Sequence, residues 1–295
     1  MVKRITFIVN PVSGGKDKSS VLAAVGRHMD LSLYSYEVLQ TSRAGEAEEM
    51  ARDSRSDIVV AVGGDGTVSE VGKGLLGSEK ALGIIPCGSG DGLALHLGIS
   101  RDPVRAVKTL NAGCIERMDV GMVGERPFFC TAGMGLDAAV SLDFAQSEKR
   151  GLNTYITTAW EDWKHRRPER YIVEMDTETW AGDTLFVTVG NANQWGNEAR
   201  IAPHASLCDG LLDITVVQPF MTVEIPDLAA RLMAGKADTS RHVRTFRSTQ
   251  VRIRREHPGP AHYDGDPFEA GTDLRFSLRP GALRVVVPPS RVGKI

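Results

Sequence analysis

The stretch Asp57-Ile-Val-Val-Ala-Val-Gly63-Gly64-Asp65-Gly66-Thr67 decides how this chain is read. Residues 58–62 are apolar at every position, the pattern of a strand covered on both faces. The Gly63-Gly64 pair then makes a tight turn, and the sequence beyond it has the character of a helix start. In open α/β sheets, ligands bind outside the carboxyl ends of the strands. Glycines at such a turn let backbone N–H groups approach a phosphate closely, and the following helix N-terminus adds a favourable dipole. Thr67-Val-Ser-Glu70 also fits a capping box, which accounts for Thr67 and Glu70 without any ligand. Capping does not account for Asp65. A carboxylate in an anion-receiving turn repels phosphate unless a divalent cation lies between them.

Outward from this turn, the first third of the chain repeats the same plan. Strand candidates at 4–9, 33–39, 58–62 and 82–85 alternate with helical stretches at 18–29 and 44–52. Asp102-Pro103 supplies an N-cap followed by Pro at N1 for a further helix running towards Leu110. This alternation predicts a doubly wound, Rossmann-like α/β layer. Two more glycine turns follow strands: Asn10-Pro11-Val12-Ser13-Gly14-Gly15 and Pro86-Cys87-Gly88-Ser89-Gly90-Asp91-Gly92. None has the GxxxxGK[ST] or GxGxxG spacing, so P-loop ATPases and hydride-transfer enzymes lose ground. Past Met118 the grammar changes to short β-rich runs at 128–131, 171–175, 185–189, 211–217, 251–254 and 274–278. Helical stretches interrupt them at 154–165 and 223–233. That pattern predicts an antiparallel β-sandwich as a second domain. The expected division is residues 1–118 and 119–282. The closing run 283–287 could belong to either domain, so 283–295 is a candidate to complete the first.

The chain has 295 residues, 42% apolar and 24% charged, an ordinary globular composition. Its formal charge of −2 offers no overall electrostatic case for nucleic-acid binding. No apolar run approaches the ~18–20 residues needed to cross a bilayer. The apolar run at 5–9 ends in Asn-Pro and reads as a first strand, not a signal peptide. Cys87, Cys114, Cys130 and Cys208 stand singly, so neither disulfides nor a thiolate zinc site is expected, and a cytoplasmic setting is the default.

Taken together, GGDGT (63–67), NPVSGG (10–15) and PCGSGDGLALHLGI (86–99) resemble the catalytic domain shared by diacylglycerol kinases, sphingosine kinases and bacterial lipid kinases. The likeness continues through GMGLDA (133–138), APHASLCDGLLDI (202–214) and Asp264-Gly265-Asp266, in order over nearly the whole chain. GGDGT by itself also occurs in NAD kinases. The resemblance implies an α/β nucleotide domain followed by a β-sandwich, with an active site in the cleft between them that closes by hinge motion. It implies ATP- and magnesium-dependent phosphorylation of a lipid hydroxyl at a membrane surface, by a peripheral protein without a spanning segment. Residues matching the family's ATP contacts are Asn10, Pro11, Ser13, Gly14, Thr41, Gly63, Gly64, Asp65, Gly66, Thr67 and Glu70, with Ser89 near the phosphates. Asp65 and Asp119 match the magnesium–water network, and Ser206, Asp209 and Leu211 match a more structural magnesium site. Asp264 and Asp266 fall on an Asp-Gly-Glu motif whose carboxylate is the proton acceptor.

Two departures stand out: Asp91 replaces the family's usual Asn, and Asp266 its usual Glu. The second shortens the reach by ~1.5 Å, about one carbon–carbon bond. Asp264 and Asp266 therefore both stand as the base. The competing readings are an NAD kinase-like phosphotransferase and a relative that binds nucleotide or lipid without turnover. Lipid identity and nucleotide preference stay open, and a homodimer is one assembly left open.

Other constellations have bland readings beside functional ones. The arginines at 241, 244, 247, 252, 254 and 255, and the run 164–170, suit either a solvated face or anionic headgroups. None of the seven histidines has metal-ligand spacing, and only His204 and His262 lie near the expected site. Trp160 and Trp163 suit packing. Asn191, Asn193, Trp195, Gly196 and Asn197 form a polar turn that could line the substrate cleft.

Overall fold

A computed structural model describes residues 2–15, 18–146, 161, 163 and 167–295. In chain order its strands and helices begin with β1 (Lys3–Val9), α1 (Ser19–His28), β2 (Tyr34–Gln40), α2 (Glu46–Asp53), β3 (Ile58–Gly63) and α3 (Asp65–Leu75). Then come β4 (Ala81–Pro86), α4 (Gly92–His96), α5 (Pro103–Ala112), β5 (Cys114–Val123), β6 (Arg126–Phe128), β7 (Thr131–Gly135) and α6 (Leu136–Gln146). The remainder is β8 (Glu169–Met175), β9 (Thr179–Thr184), β10 (Phe186–Gly190), β11 (Leu212–Val217), α7 (Ile225–Met233), β12 (Val243–Ser248), β13 (Gln250–Arg255), β14 (Gly259–Tyr263), β15 (Asp266–Ala270) and β16 (Asp273–Val287). The chain divides into two compact units, residues 1–119 with 280–295, and residues 120–279.

In the first unit the strand order is β2-β1-β3-β4 and then the last part of β16, every pair parallel. β3 and β4 are buried along their whole length, which is why their sequences lack the alternation of a one-sided strand. Asp102 caps α5 as its sequence predicts: its side chain accepts from Arg105 N at 2.8 Å, Pro103 stands at N1, and Gly113 closes the helix at φ +63°. α2 and α3 pack so closely that a Cβ on Gly74 would lie 2.3 Å from Glu48 O.

The second unit contains an antiparallel sheet ordered β12-β11-β10-β7-β14-β15. The first part of β16 pairs with β13, which pairs with β8 and then β9, all antiparallel. One core draws Met134, Val187 and Ile214 from the first of these sheets and Val173, Ile253 and Phe276 from the second. An α/β domain and an antiparallel β domain are thus both present. The details differ from the expected runs. Residues 128–131 are divided between the end of β6 and the start of β7. β5, β9, β12, β14 and β15 carry charged, Gly or Pro residues among their apolar ones, so a reading that seeks apolar runs passes over them. The expected helix at 154–165 falls outside the described residues except for Glu161 and Trp163. Among the described residues no helix is long and apolar enough to cross a membrane.

Candidate active site

Three glycine turns meet at the carboxyl ends of β1, β3 and β4. Asn10 binds both its own turn and the next: its main-chain N donates to Val62 O (3.1 Å), its Oδ1 accepts from Val12 N (3.1 Å), and its Nδ2 donates to Thr67 Oγ1 (3.1 Å). Ser13 Oγ donates back to Asn10 O (3.2 Å), and Thr41 N donates to Val9 O (3.0 Å) beside them. Backbone meets backbone where the turns touch. Gly14, at φ +65°, would put a Cβ 1.8 Å from Cys87 O, and a Cβ on Gly88 would lie 2.7 Å from Gly64 Cα. No side chain fits at either place. Pro11 and Val12 are exposed at the rim.

The structure supplies the partner for Asp65 that the sequence withholds. Asp65 is the first residue of α3, and its Oδ2 and Oδ1 accept from Asp91 N (2.9 Å) and Gly92 N (2.7 Å). It thereby joins the second turn to the third and satisfies amides at the start of α4. Burial, with the Asp91 carboxylate nearby, pushes its carboxyl above the usual carboxylate range. The expected capping box does not form. α3 starts two residues before Thr67, with Gly64 at its N-cap, so Thr67 lies inside the helix. Glu70 turns instead to α2 and accepts from Gly45 N (3.0 Å) and Ala47 N (3.2 Å). Ser89 contributes its carbonyl to Arg101 Nη2 (3.1 Å).

Asp119 lies in β5 and accepts from Gly281 N (2.7 Å) in β16. In the second unit, Asp264 and Gly265 link β14 to β15 with φ +49° and +85°. Positive φ at both central residues of a two-residue hairpin defines a type I′ turn, for which Asp-Gly is a preferred pair. The Asp264 carboxylate also accepts from Phe129 N (2.8 Å), Cys130 N (2.7 Å) and Thr131 N (3.2 Å). Asp266, at the start of β15, is exposed. The polar turn after β10 is anchored at the same segment, since Asn191 Nδ2 donates to Phe129 O (3.0 Å).

Ser206, Asp209 and Leu211 share one loop before β11, where Asp209 Oδ1 accepts from Leu211 N (3.0 Å) and Oδ2 pairs with the Arg247 guanidinium. Oxygen donors suit magnesium, yet this loop already carries its own cation on the carboxylate. Asp65 itself pairs with main-chain amides rather than with an arginine, so its carboxylate suits the cation better, although its neighbour Asp91 is met by Arg101. The arginine cluster resolves into internal pairs: Arg241 with Glu224, Arg252 with Asp273, Arg254 with Glu174. Arg255 is buried and donates to the carbonyls of Gly259, Pro260, Ala270 and Gly271. His204 lies 3.1 Å from Asp238, and His262 lies 3.2 Å from Asp137 inside the second unit. Trp163 packs on Phe220 with ring centroids 4.4 Å apart. Trp160 and residues 164–166 lie outside the described residues.

In the first unit, then, glycine turns at the ends of three parallel strands close on one another beside the Asp65 carboxylate. Residues 4–123 match the family model described as diacylglycerol kinase catalytic domain. Residues 130–287 match the one described as YegS C-terminal NAD kinase beta sandwich-like domain. The chain belongs to this family of lipid kinases, which are phosphotransferases. It is 28% identical over 273 residues to the diacylglycerol kinase of Bacillus subtilis (strain 168), covering 90% of each chain. It is 30% identical over 239 residues to a Klebsiella pneumoniae (strain 342) protein named "Probable lipid kinase YegS-like", covering 79% of this chain and 78% of that protein. Among solved structures, a diacylglycerol kinase from Bacillus anthracis str. Sterne superposes with a TM-score of 0.75 at 19% identity over 98% of both chains. An NAD kinase from Archaeoglobus fulgidus in complex with ATP gives 0.55 at 14% identity, over 99% of this chain and 96% of that one. At those identities the likeness is one of fold.

Proposed function

We propose that this chain transfers the γ-phosphoryl group of ATP to a lipid hydroxyl, with a diacylglycerol as the first substrate to test. The observation that carries the reading is the meeting of three glycine turns at the carboxyl ends of β1, β3 and β4, with Asp65 tying the second turn to the third, at the place where an open α/β sheet receives its ligand. A Cβ at Gly66 would meet nothing, so internal packing does not explain that glycine, while close approach of a ligand does. Asn10, Ser13, Gly14, Thr41, Gly64 to Thr67 and Ser89 are the proposed nucleotide residues. Asp65 is the proposed magnesium holder. Magnesium, when bound, supplies neutralisation of the phosphate charge.

In the transfer, the lipid oxygen bonds to the γ-phosphorus, the bond from that phosphorus to the β–γ bridging oxygen breaks, and ADP leaves. A carboxylate takes the hydroxyl proton. Asp264 and Asp266 are the two candidates: Asp264 has its oxygens on main-chain N–H groups, and Asp266 is exposed at the start of β15. A lipid substrate is met at a bilayer surface, so the proposal carries peripheral membrane contact with it.

The deciding experiment incubates the protein with labelled ATP, magnesium and, in separate reactions, diacylglycerol, a sphingoid base, ceramide and NAD. A labelled lipid product supports the proposal. Labelling of NAD alone, or tight ATP binding with no labelled product from any acceptor, overturns it.

A further inference from the structure

Asp91 is an unusual residue for the middle of a phosphate-type turn. It is not a glycine, yet it holds φ +50°, and its side chain is only 2% exposed. Such a backbone persists only where its surroundings fix it. Its Oδ1 accepts from Gly88 N (2.8 Å) and its own N donates to Asp65 Oδ2 (2.9 Å), so it shapes the turn from inside. The result is two neighbouring carboxylates, a half-buried Asp65 and a buried Asp91, in a place otherwise suited to receive anions. Arg101, in the loop between α4 and α5, answers one of them. Its Nε donates to Asp91 Oδ2 (3.0 Å), and its Nη2 donates to the carbonyls of Ser89 (3.1 Å) and Gly90 (2.8 Å). The Arg101 side chain is 42% exposed, so it meets a buried charge without being fully desolvated itself.

We propose that Arg101 is a positioning residue of the nucleotide site. It cancels the charge of Asp91 and grips the Ser89 and Gly90 carbonyls, keeping the third glycine turn shaped and electrically receptive for a polyphosphate. This rests on the nucleotide reading above. A planar fork reaching one carboxylate and two carbonyls at once is a task for Arg, whereas a Lys ammonium retains the charge but loses the fork. Removing Arg101 leaves a buried carboxylate without its counter-charge, the change that makes breaking such pairs far more damaging than replacing both partners. It also adds a net negative charge where phosphates arrive.

The test uses the full chain with Arg101→Met, Arg101→Lys and the double substitution Asp91→Asn with Arg101→Met. Hydrogen exchange at the amides of Gly88, Asp91 and Gly92, measured without nucleotide, reads the turn directly. ATP KM and kcat, or the affinity for ADP with magnesium, read the site. Arg101→Met is expected to speed exchange at those amides at least ~10-fold and to raise ATP KM about 10-fold with kcat within ~3-fold. The double variant is expected to return KM to within ~3-fold of the parent, and Arg101→Lys to fall between. Unchanged exchange in Arg101→Met, or no rescue by Asp91→Asn, overturns the role. If the parent protein phosphorylates no acceptor, the kinase reading fails while the exchange measurements still decide the place of Arg101. Should Arg101→Met not fold, Arg101→Lys and the double variant give the same comparison.

Discussion

Two main-chain amides, those of Asp91 and Gly92, point at the carboxylate of Asp65. A substitution there therefore removes an acceptor as well as a charge. Asp65→Ala orphans both donors at ~1–3 kcal/mol each, which corresponds to a melting temperature lowered by about 4–24 °C. Asp65→Asn keeps an oxygen for one of them and should melt closer to the parent. Both variants are expected to lose at least ~10²-fold in lipid phosphorylation, so calorimetry beside the kinase assay separates stability from chemistry. Equal melting temperatures for the two variants would refute the structural half of this account. The glycines at 14, 64 and 88 were legible in the sequence because only glycine permits backbone contact at those places. The partners of Asp65 were not, since they lie some two dozen residues away on another strand's turn. Glu70 shows the opposite failure: a local pattern satisfied on paper gave way to a neighbouring helix whose first amides needed an acceptor. At 264–265 the Asp-Gly pair between β-rich runs carried a strong hairpin signal, which the likeness to a catalytic motif overshadowed.

Strands fully covered on both faces, such as β3 and β4, were read from composition alone. Strands with few apolar residues, such as β12 and β15, were passed over, whereas β13 was read from the apolar residues between its arginines, which find partners across the sheet. Arg252 and Arg254 meet Asp273 and Glu174 from the neighbouring strands β16 and β8. Tyr171 in β8 lies opposite Arg255 of β13 and is buried. Burial is the largest influence on it and pushes the phenol from 10 up to about 12, while Arg255 pulls the other way. The folded state thus prefers the neutral phenol. Stability should be complete below pH 10, where unfolded tyrosine is also neutral, and decline as pH rises towards about 12. The loss amounts to about 2–3 kcal/mol for a shift of this size. Denaturant melts across that alkaline window should show the decline in the parent protein and a flatter profile in Tyr171→Phe. An identical slope in both would remove Tyr171 as the cause.

At the scale of the whole chain, the first unit is assembled from two distant pieces of sequence. Leu283, Val285, Val286 and Val287 of β16 are buried, and Arg284 stands in parallel register with Ala81. Burying four such side chains contributes about 6–12 kcal/mol, comparable to the entire stability of a typical domain. A fragment of residues 1–119 is therefore expected to remain unfolded, while the same fragment joined through a Gly/Ser linker to 280–295 should fold cooperatively. Circular dichroism melts of the two decide it, and a folded 1–119 fragment would contradict the role given to β16. The sequence left the run at 283–287 open between domains because a short apolar strand carries no mark of which sheet it will join. That late strand has a consequence during synthesis. A ribosome working at ~5–20 residues per second needs about 10–30 s to go from the end of β5 to β16. Throughout that interval the open edge of β4, with the glycine turn that follows it, waits for its neighbour while the second unit is still being made. Nascent chains halted before residue 280 should then offer chaperones an uncovered parallel edge, and a cell that clips the tail would silence the first unit by unfolding it rather than by touching its turns.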